Sequence, residues 1–136
     1  MAVLRTQIVV RFSDVDLMGH LNNVAYFDYL QEARADVIRR LYPGEDVNWH
    51  YVVVRHEIDY RKAISYQAEP VVVETWVSRV GGASFTFAHR VIDESGAVCA
   101  EATSVLAHID PATGLAVRLP DDVRAAFQEW TGPVDA

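Results

Sequence analysis

Between Asn23 and Leu41 the chain reads NVAYFDYLQEARADVIRRL. Apolar side chains recur there at steps of three and four, the repeat of one helical face, at Tyr26, Leu30, Ala33, Val37 and Leu41. Phe27 and Ile38 widen this face, so we expect a helix that is buried over more than half of its circumference. Pro43 and Gly44 follow directly and are expected to end the helix.

Strand patterns fill the chain on both sides of this helix. One strand is predicted before the helix, and four runs of β-branched or alternating apolar residues follow it: Val3–Phe12, then Tyr51–Tyr60, Val71–Val80, Phe85–Val91 and Val98–Ile109. Glycine, aspartate and proline between the later runs predict tight turns. Residues 121–130 have the pattern of a short amphipathic helix.

Each element has to bury its apolar side on another, so one long helix among strands must be covered by the sheet. The pattern therefore predicts an α+β fold, in which a curved antiparallel sheet of about five strands wraps a long central helix and a short C-terminal helix follows. The chain shows no internal repeat or linker. Its 136 residues are of single-domain length, so we expect one domain over residues 1–136.

The composition argues against several classes of protein. A formal net charge of −7 is unlike a nucleic-acid-binding protein, which would carry a basic face. The sequence has neither a signal-peptide pattern nor an apolar run of membrane-spanning length, so we expect a cytoplasmic protein with no membrane partner. Cys99 is the single cysteine, and the five histidines lack metal-ligand spacing, so we expect no intrachain disulfide and no metal.

The loop ahead of the helix concentrates the polar chemistry of the chain. From Asp14 it reads DVDLMGHLNN, and asparagine is a preferred residue at a helix start. The loop thus places Asp16 and His20 beside free N–H groups that carry partial positive charge. A carboxylate facing such an oxyanion site is what acyl transfer needs, although acidic residues before a helix are also common as caps. Asp14 is expected to hold the loop through hydrogen bonds to local amides.

The same block resembles a known family. It is similar to hotdog-fold thioesterases of the 4-hydroxybenzoyl-CoA thioesterase type, and the later strand order matches as well. The residues that carry the resemblance are Arg11–Asp16, Gly19-His20, Asn22-Asn23, Tyr26 and Glu32–Arg34. The resemblance implies a hotdog fold and hydrolysis of a fatty or aromatic acyl thioester, carried by CoA or an acyl-carrier protein. No cofactor is expected beyond the CoA of the substrate. It also implies a homodimer or homotetramer, paired side by side, with the active site between subunits.

The resemblance assigns roles within the block. It makes Asp16 the catalytic carboxylate, acting as a general base toward water or as a nucleophile. A backbone N–H at or near Asn23 would polarise the thioester carbonyl. His20 would position water or bond the thioester oxygen, or simply pack beside the helix. The remaining expected substrate-binding residues are Gly19, which supplies a backbone angle or a close approach, Asn22, which also caps the helix, and Tyr26, as pocket wall or core.

The block also resembles plant acyl-ACP thioesterases, which share the aspartate, histidine and paired asparagines but carry an asparagine at the position of Met18. This departure argues against transferring their whole site and leaves the role of His20 open. Two other functions are the alternatives at this stage. Hotdog hydratases and dehydratases also pair an aspartate with a histidine, usually with four residues between them, where Asp16 and His20 have three. A non-catalytic acyl-CoA-binding module would keep the pocket and lose the carboxylate. The candidate cations for CoA phosphates, among which the sequence does not choose, are Arg55, Arg61, Lys62, Arg79 and Arg90.

Overall fold

The computed structural model describes residues 3–41 and 50–130. Five strands are present there: β1 (Leu4–Ile8), β2 (His50–Tyr60), β3 (Val71–Val80), β4 (Ser84–Ile92) and β5 (Val98–Ile109). Two α-helices accompany them, α1 (Ala25–Leu41) and α2 (Asp121–Gln128). No helix in these ranges is both long enough and apolar enough to cross a bilayer.

The first strand is shorter than its sequence pattern predicts. β1 ends at Ile8 rather than Phe12. The chain then turns through a short 3-10 helix at Phe12–Asp14, in which the N–H of Asp14 donates to the carbonyl of Arg11 at 2.9 Å. The other four strands agree with the predicted ranges to within one residue at each end.

Helix α1 buries the predicted stripe. It begins at Ala25, two residues after the expected start, and it buries Tyr26, Leu30, Ala33, Val37 and Ile38. Phe27 does not join them and stays 39% exposed. The Phe27 side of the helix faces the exposed edge of the sheet, where its ring contacts that of His56 in β2 at 5.5 Å. The expected stop at Pro43-Gly44 falls in residues 42–49, outside the described residues.

The sheet is antiparallel throughout, in the order β1-β3-β4-β5-β2. The register shifts inside β2 and β3 and between β4 and β5. Such bulges bend a strand and increase its twist, which curves the sheet. A long helix held in the curve of a five-stranded antiparallel sheet is the hotdog architecture, so the predicted fold is confirmed.

The core has two parts along α1. The part nearest the helix start joins Tyr29 and Leu30 to the inner faces of β3 and β5. The second part lies nearer the end of α1, where Phe127 of α2 packs against Phe85 and Phe87 at ring distances of 4.6 and 5.9 Å. The short C-terminal helix therefore closes one end of the core and leaves the loop before α1 free at the other.

Strand β2 is the open side of the molecule. It is an edge strand of 11 residues that pairs only with β5 among the described strands, and no residue in it is fully buried. Tyr60 and His56 of this strand contact Asn23 and Phe27 at the start of α1. The space between α1 and β2 opens into one pocket near the helix start and another beside Arg34. We call this space the groove, and the candidate site lies at one end of it.

Candidate active site

The loop before α1 is a tight hairpin. The N–H of Asp16 donates to the carbonyl of His20 at 2.8 Å, and the N–H of Gly19 donates to the carbonyl of Asp16 at 3.0 Å. Gly19 has a φ of +77°, in the left-handed region that favours glycine. A Cβ at Gly19 would meet no atom within 4 Å. The backbone angle of the turn, rather than crowding by the protein, therefore requires the glycine.

The Asp16 carboxylate is oriented by its own loop. Its Oδ1 accepts the N–H of Met18 at 2.9 Å and the N–H of His20 at 3.2 Å. For its Oδ2 we find no partner among residues 3–41 and 50–130. The side chain is exposed, yet it lines a cleft. One carboxylate oxygen thus fixes the side chain, and the other is available to a ligand or a water.

Asp14 has a different environment although it stands only two positions earlier. It is buried, and its carboxylate accepts the Tyr29 hydroxyl at 2.7 Å and the Arg11 guanidinium at 3.1 Å. Burial by itself would raise the pKa of Asp14, but the hydrogen bonds from Arg11 and Tyr29 outweigh it and keep the pKa below its usual value. Asp14 therefore anchors the loop to α1, with a guanidinium and a phenol as its main partners.

The start of α1 is capped by Asn22. Its side-chain Oδ1 accepts the N–H of Val24 at 2.9 Å, and its carbonyl accepts the N–H of Ala25 at 2.9 Å. These bonds satisfy two of the amide groups at the helix start, where such groups lack intrahelical partners. The N–H of the next residue, Asn23, donates to no acceptor that we find in the described ranges. This amide, with the positive end of the helix dipole behind it, is suited to bind an oxyanion.

A cleft of ≈ 290 Å³ joins these groups. Four of the six predicted site residues line it: Asp16, His20, Asn23 and Tyr26. The other two, Gly19 and Asn22, shape the turn and the helix start beside it. The cleft therefore brings together Asp16, whose carboxylate is fixed by its loop, and Asn23, whose N–H has no acceptor that we find in the described residues.

The opposite wall comes from the end of β2 and was not predicted as part of the catalytic site. Tyr60, Arg61, Lys62 and Ala63 form it, and the Tyr60 hydroxyl donates to the carbonyl of Asn23 at 2.9 Å. The alternation through β2 places Tyr60 on the inner face, which was the available sequence signal.

In the part of the chain that the structure describes, no three histidine, cysteine, aspartate or glutamate side chains are grouped so that they could hold a metal ion.

Two tyrosine rings close the inner end of the cleft. Tyr26 and Tyr60 meet edge to face at a ring distance of 5.0 Å. Burial raises the pKa of Tyr26 to about 12, with smaller contributions from Cys99 and Tyr60. Burial also raises the pKa of Tyr60. Both phenols are therefore neutral near pH 7, and they act as apolar walls and hydrogen-bond donors rather than as bases.

Comparison with known proteins identifies the family. Residues 10–127 match the thioesterase-like superfamily. The chain is similar to the long-chain acyl-CoA thioesterase FadM of Escherichia coli, with 26% identity over 93% of this chain and 98% of that protein.

Two solved structures extend the similarity. One is a predicted thioesterase from Bacillus stearothermophilus, with 29% identity, a TM-score of 0.88, and coverage of 98% of this chain and 100% of that one. The other is a thioesterase complexed with coenzyme A and zinc from Thermus thermophilus, with 30% identity, a TM-score of 0.80, and coverage of 91% and 96%. The chain thus belongs to the thioesterase-like superfamily and is a thioester hydrolase.

Proposed function

We propose that this protein hydrolyses an acyl-CoA thioester to the free acid and CoA. The observation that carries the proposal is the shared cleft, which is lined by Asp16 and by Asn23, a residue whose N–H has no acceptor among residues 3–41 and 50–130. The names of the relatives support the CoA handle, since one is a long-chain acyl-CoA thioesterase and one was solved with coenzyme A. Neither name assigns an acyl group to this chain, and the 4-hydroxybenzoyl subtype stays a prediction.

The proposed reaction uses the helix amide to stabilise charge. The thioester oxygen would accept the N–H of Asn23, where the helix dipole favours the negative charge that develops as the carbonyl is attacked. In the base route, Asp16 takes a proton from water, the hydroxyl adds to the carbonyl carbon, and the C–S bond breaks to release CoA thiolate. The thiolate is then protonated, by Asp16 or by solvent.

In the nucleophilic route the Asp16 carboxylate itself attacks the carbonyl carbon. Breaking of the C–S bond releases the thiolate and leaves a mixed anhydride, which water then hydrolyses to the acid and the free carboxylate. Oδ2 suits either route, because Oδ1 already holds the two loop amides. We assign His20, on the same cleft wall, to positioning the water or the thioester oxygen.

For the phosphates of CoA the cleft favours two of the candidate cations, Arg61 and Lys62. Their N–H groups both donate to the carbonyl of Cys99, at 2.8 and 3.0 Å, so this bulge carries two successive cations at the cleft wall. Each cation is exposed and forms an ion pair, Arg61 with the exposed Glu101 at 3.0 Å and Lys62 with the largely buried carboxylate of Asp93 at 3.1 Å. An exposed pair contributes little, so a phosphate can replace Glu101 beside Arg61, whereas Lys62 would bind a phosphate while keeping Asp93.

The test is thiol release from a panel of acyl-CoAs, measured with a thiol-trapping dye. We expect Asp16→Asn to lower kcat by at least about 10²-fold, the lower end of what a positioned general base contributes in other enzymes. Asp28→Asn is the matched control, because Asp28 is an exposed carboxylate in the first turn of the same helix and lies outside the cleft lining. An Asp16→Asn enzyme with unchanged kcat would show that the site assignment is wrong.

We also propose that the protein works as a homodimer or a homotetramer joined through β2. This strand offers 11 residues of edge backbone, and its Val52, Val53 and Val54 are 42%, 42% and 58% exposed. A long edge with exposed apolar side chains is a template for pairing with another strand. Pairing two β2 strands would extend the sheet and cover the groove between α1 and β2.

A further inference from the structure

Arg34 is a buried cation that the proposed hydrolysis does not use. It lies near the middle of α1 and is only 6% exposed. Its one hydrogen bond in the described ranges goes from Nη1 to the Ser104 hydroxyl at 3.4 Å, which is long. Burial lowers the pKa of Arg34, opposed only by a small contribution from Tyr51, so no described carboxylate compensates its charge.

The described hydrogen-bonding groups around Arg34 are neutral. Ser104 is fully buried and is bonded to His56 Nδ1 at 3.0 Å and to His89 Nε2 at 3.3 Å. His89 Nδ1 in turn meets the Thr75 hydroxyl at 2.9 Å. Burial and the nearby Arg34 charge lower the pKa of both imidazoles, so they remain uncharged near pH 7. This network surrounds the guanidinium with hydroxyl and imidazole groups and contains no anion.

A cavity of ≈ 280 Å³ lies next to the guanidinium. Besides Arg34, the residues around it are Gln31, Ala35, Tyr51 and Val53, so it sits in the groove between α1 and the first half of β2. An isolated charge taken out of water is costly unless an anion pairs with it. A buried arginine on the wall of such a cavity is thus the expected receptor for an anion from outside.

We propose that this cavity binds the carboxylate at the far end of the acyl chain, which makes the substrate an ω-carboxyacyl thioester rather than a plain fatty acyl thioester. The inference rests on the proposed function and specifies its acyl group. Arg34 would bind the carboxylate through paired N–H donors, and the Gln31 amide on the same cavity wall would add a further donor.

The position of the cavity along the groove indicates that its anion is part of the substrate rather than a separate ion. β2 runs opposite to α1, so Tyr60 meets Asn23 at the helix start, His56 meets Phe27 one turn later, and Tyr51 and Val53 lie by Arg34. Arg34 is 11 residues after Asn23, about 16 Å along the helix axis. An extended acyl chain attached at the cleft and passing the ring contact of Phe27 and His56 would bring its end to the guanidinium.

The experiment compares dodecanedioyl-CoA with dodecanoyl-CoA, which share the CoA and the chain length and differ in the terminal carboxylate. We expect the wild-type protein to favour the diacid thioester in kcat/KM by about 10- to 100-fold, the range of one or two charge-assisted hydrogen bonds. Arg34→Gln should abolish this preference by raising KM for the diacid thioester alone. Arg39→Gln is the control, an exposed arginine of the same helix.

A binding assay makes the test independent of turnover and of folding failure. Free dodecanedioate should raise the Tm of the wild-type protein, while dodecanamide, which has no carboxylate, should not. The Arg34→Lys variant should retain part of the Tm shift. Equal loss of activity toward both thioesters in Arg34→Gln, or no Tm shift with the diacid, would overturn the proposal. A diacid-induced Tm shift without cleavage of any acyl-CoA would instead refute the proposed function and leave the anion site standing.

Discussion

Asp14 and Asp16 are chemically identical and two positions apart, but the loop gives them opposite tasks. The Asp14 carboxylate accepts hydrogen bonds from Arg11 and Tyr29, and these bonds lower its pKa. The Asp16 carboxylate keeps one oxygen without a partner in the described residues and faces the cleft. A two-residue shift of the loop would put one acid in the place of the other, so the hairpin that Gly19 permits determines which acid can react.

The sequence predicted only some of these residue roles. The motif identified Asp16, His20 and Asn23 as a group, because they lie close together along the chain. The partner of Asp14 on α1 was not predicted, since Tyr29 carries the same pattern as a core residue. Arg34 was noted only as part of the family motif, and its buried position was not predicted. Its hydrogen-bond partner Ser104 lies 70 positions away, so local sequence patterns do not connect the two residues.

His89 gives the fold a pH dependence. Burial, with the nearby charges of Arg34 and His56, lowers its pKa to about 3 in the folded protein, against about 6.5 in an unfolded chain. Below pH 6.5 the unfolded chain therefore binds a proton that the folded protein does not, so stability falls as the pH falls. Between pH 7 and pH 5 this one histidine should cost about 2 kcal/mol of unfolding free energy.

Urea unfolding at pH 7 and pH 5 checks the prediction for His89. His89→Gln should lose most of the difference between the two pH values, even if it is less stable at pH 7. His50→Gln serves as the comparison, because His50 is exposed at the start of β2. An undiminished pH dependence in His89→Gln would assign the effect to other groups.

At the level of elements, periodicity predicted the helix and most strands because those patterns are local. The stripe through Tyr26, Leu30 and Ala33 is buried as expected. Phe27 is not, because its side of α1 faces the exposed edge of the sheet, which a local pattern does not place. The early end of β1 was missed because the apolar side chain of Val10 is buried without belonging to a strand.

The loop before α1 depends on the left-handed angle at Gly19. Gly19→Ala should destabilise the protein by about 1 kcal/mol, because alanine is strained at this φ although its Cβ has room. Gly82→Ala is a matched control, since a Cβ there also meets nothing within 4 Å and its φ lies outside the left-handed region. Urea unfolding measures both, and equal stability of the two variants would contradict the role given to this angle.

On the scale of the whole molecule, β2 is the exposed edge of the sheet. The buried side of α1 packs on β3, β4 and β5 as well as on β1, and no residue of β2 is fully buried. The cleft near Asp16 and the cavity near Arg34 both border this open side, one at each end of the groove. Sequence patterns cannot place such a groove, because it follows from the strand order and from the tilt of one helix.

The open side leads to a prediction about assembly. A protomer has a mass of 15.2 kDa, and sedimentation equilibrium of the wild-type protein should give two or four times that value. Replacing Val52 and Val54 with lysine should shift the mass toward one protomer, because charged side chains oppose edge pairing. Leu115→Lys, at an exposed residue beyond β5, should leave the mass unchanged.

Activity gives the assembly prediction a second readout. If β2 pairing covers the groove, the double lysine variant should lose thioester hydrolysis together with its oligomeric mass, and raising the protein concentration should restore both. Water then has free access to the groove in the separate protomer, which weakens every electrostatic contact within it. A wild-type protein that sediments as a single protomer and still hydrolyses acyl-CoA would show that one chain holds the complete site.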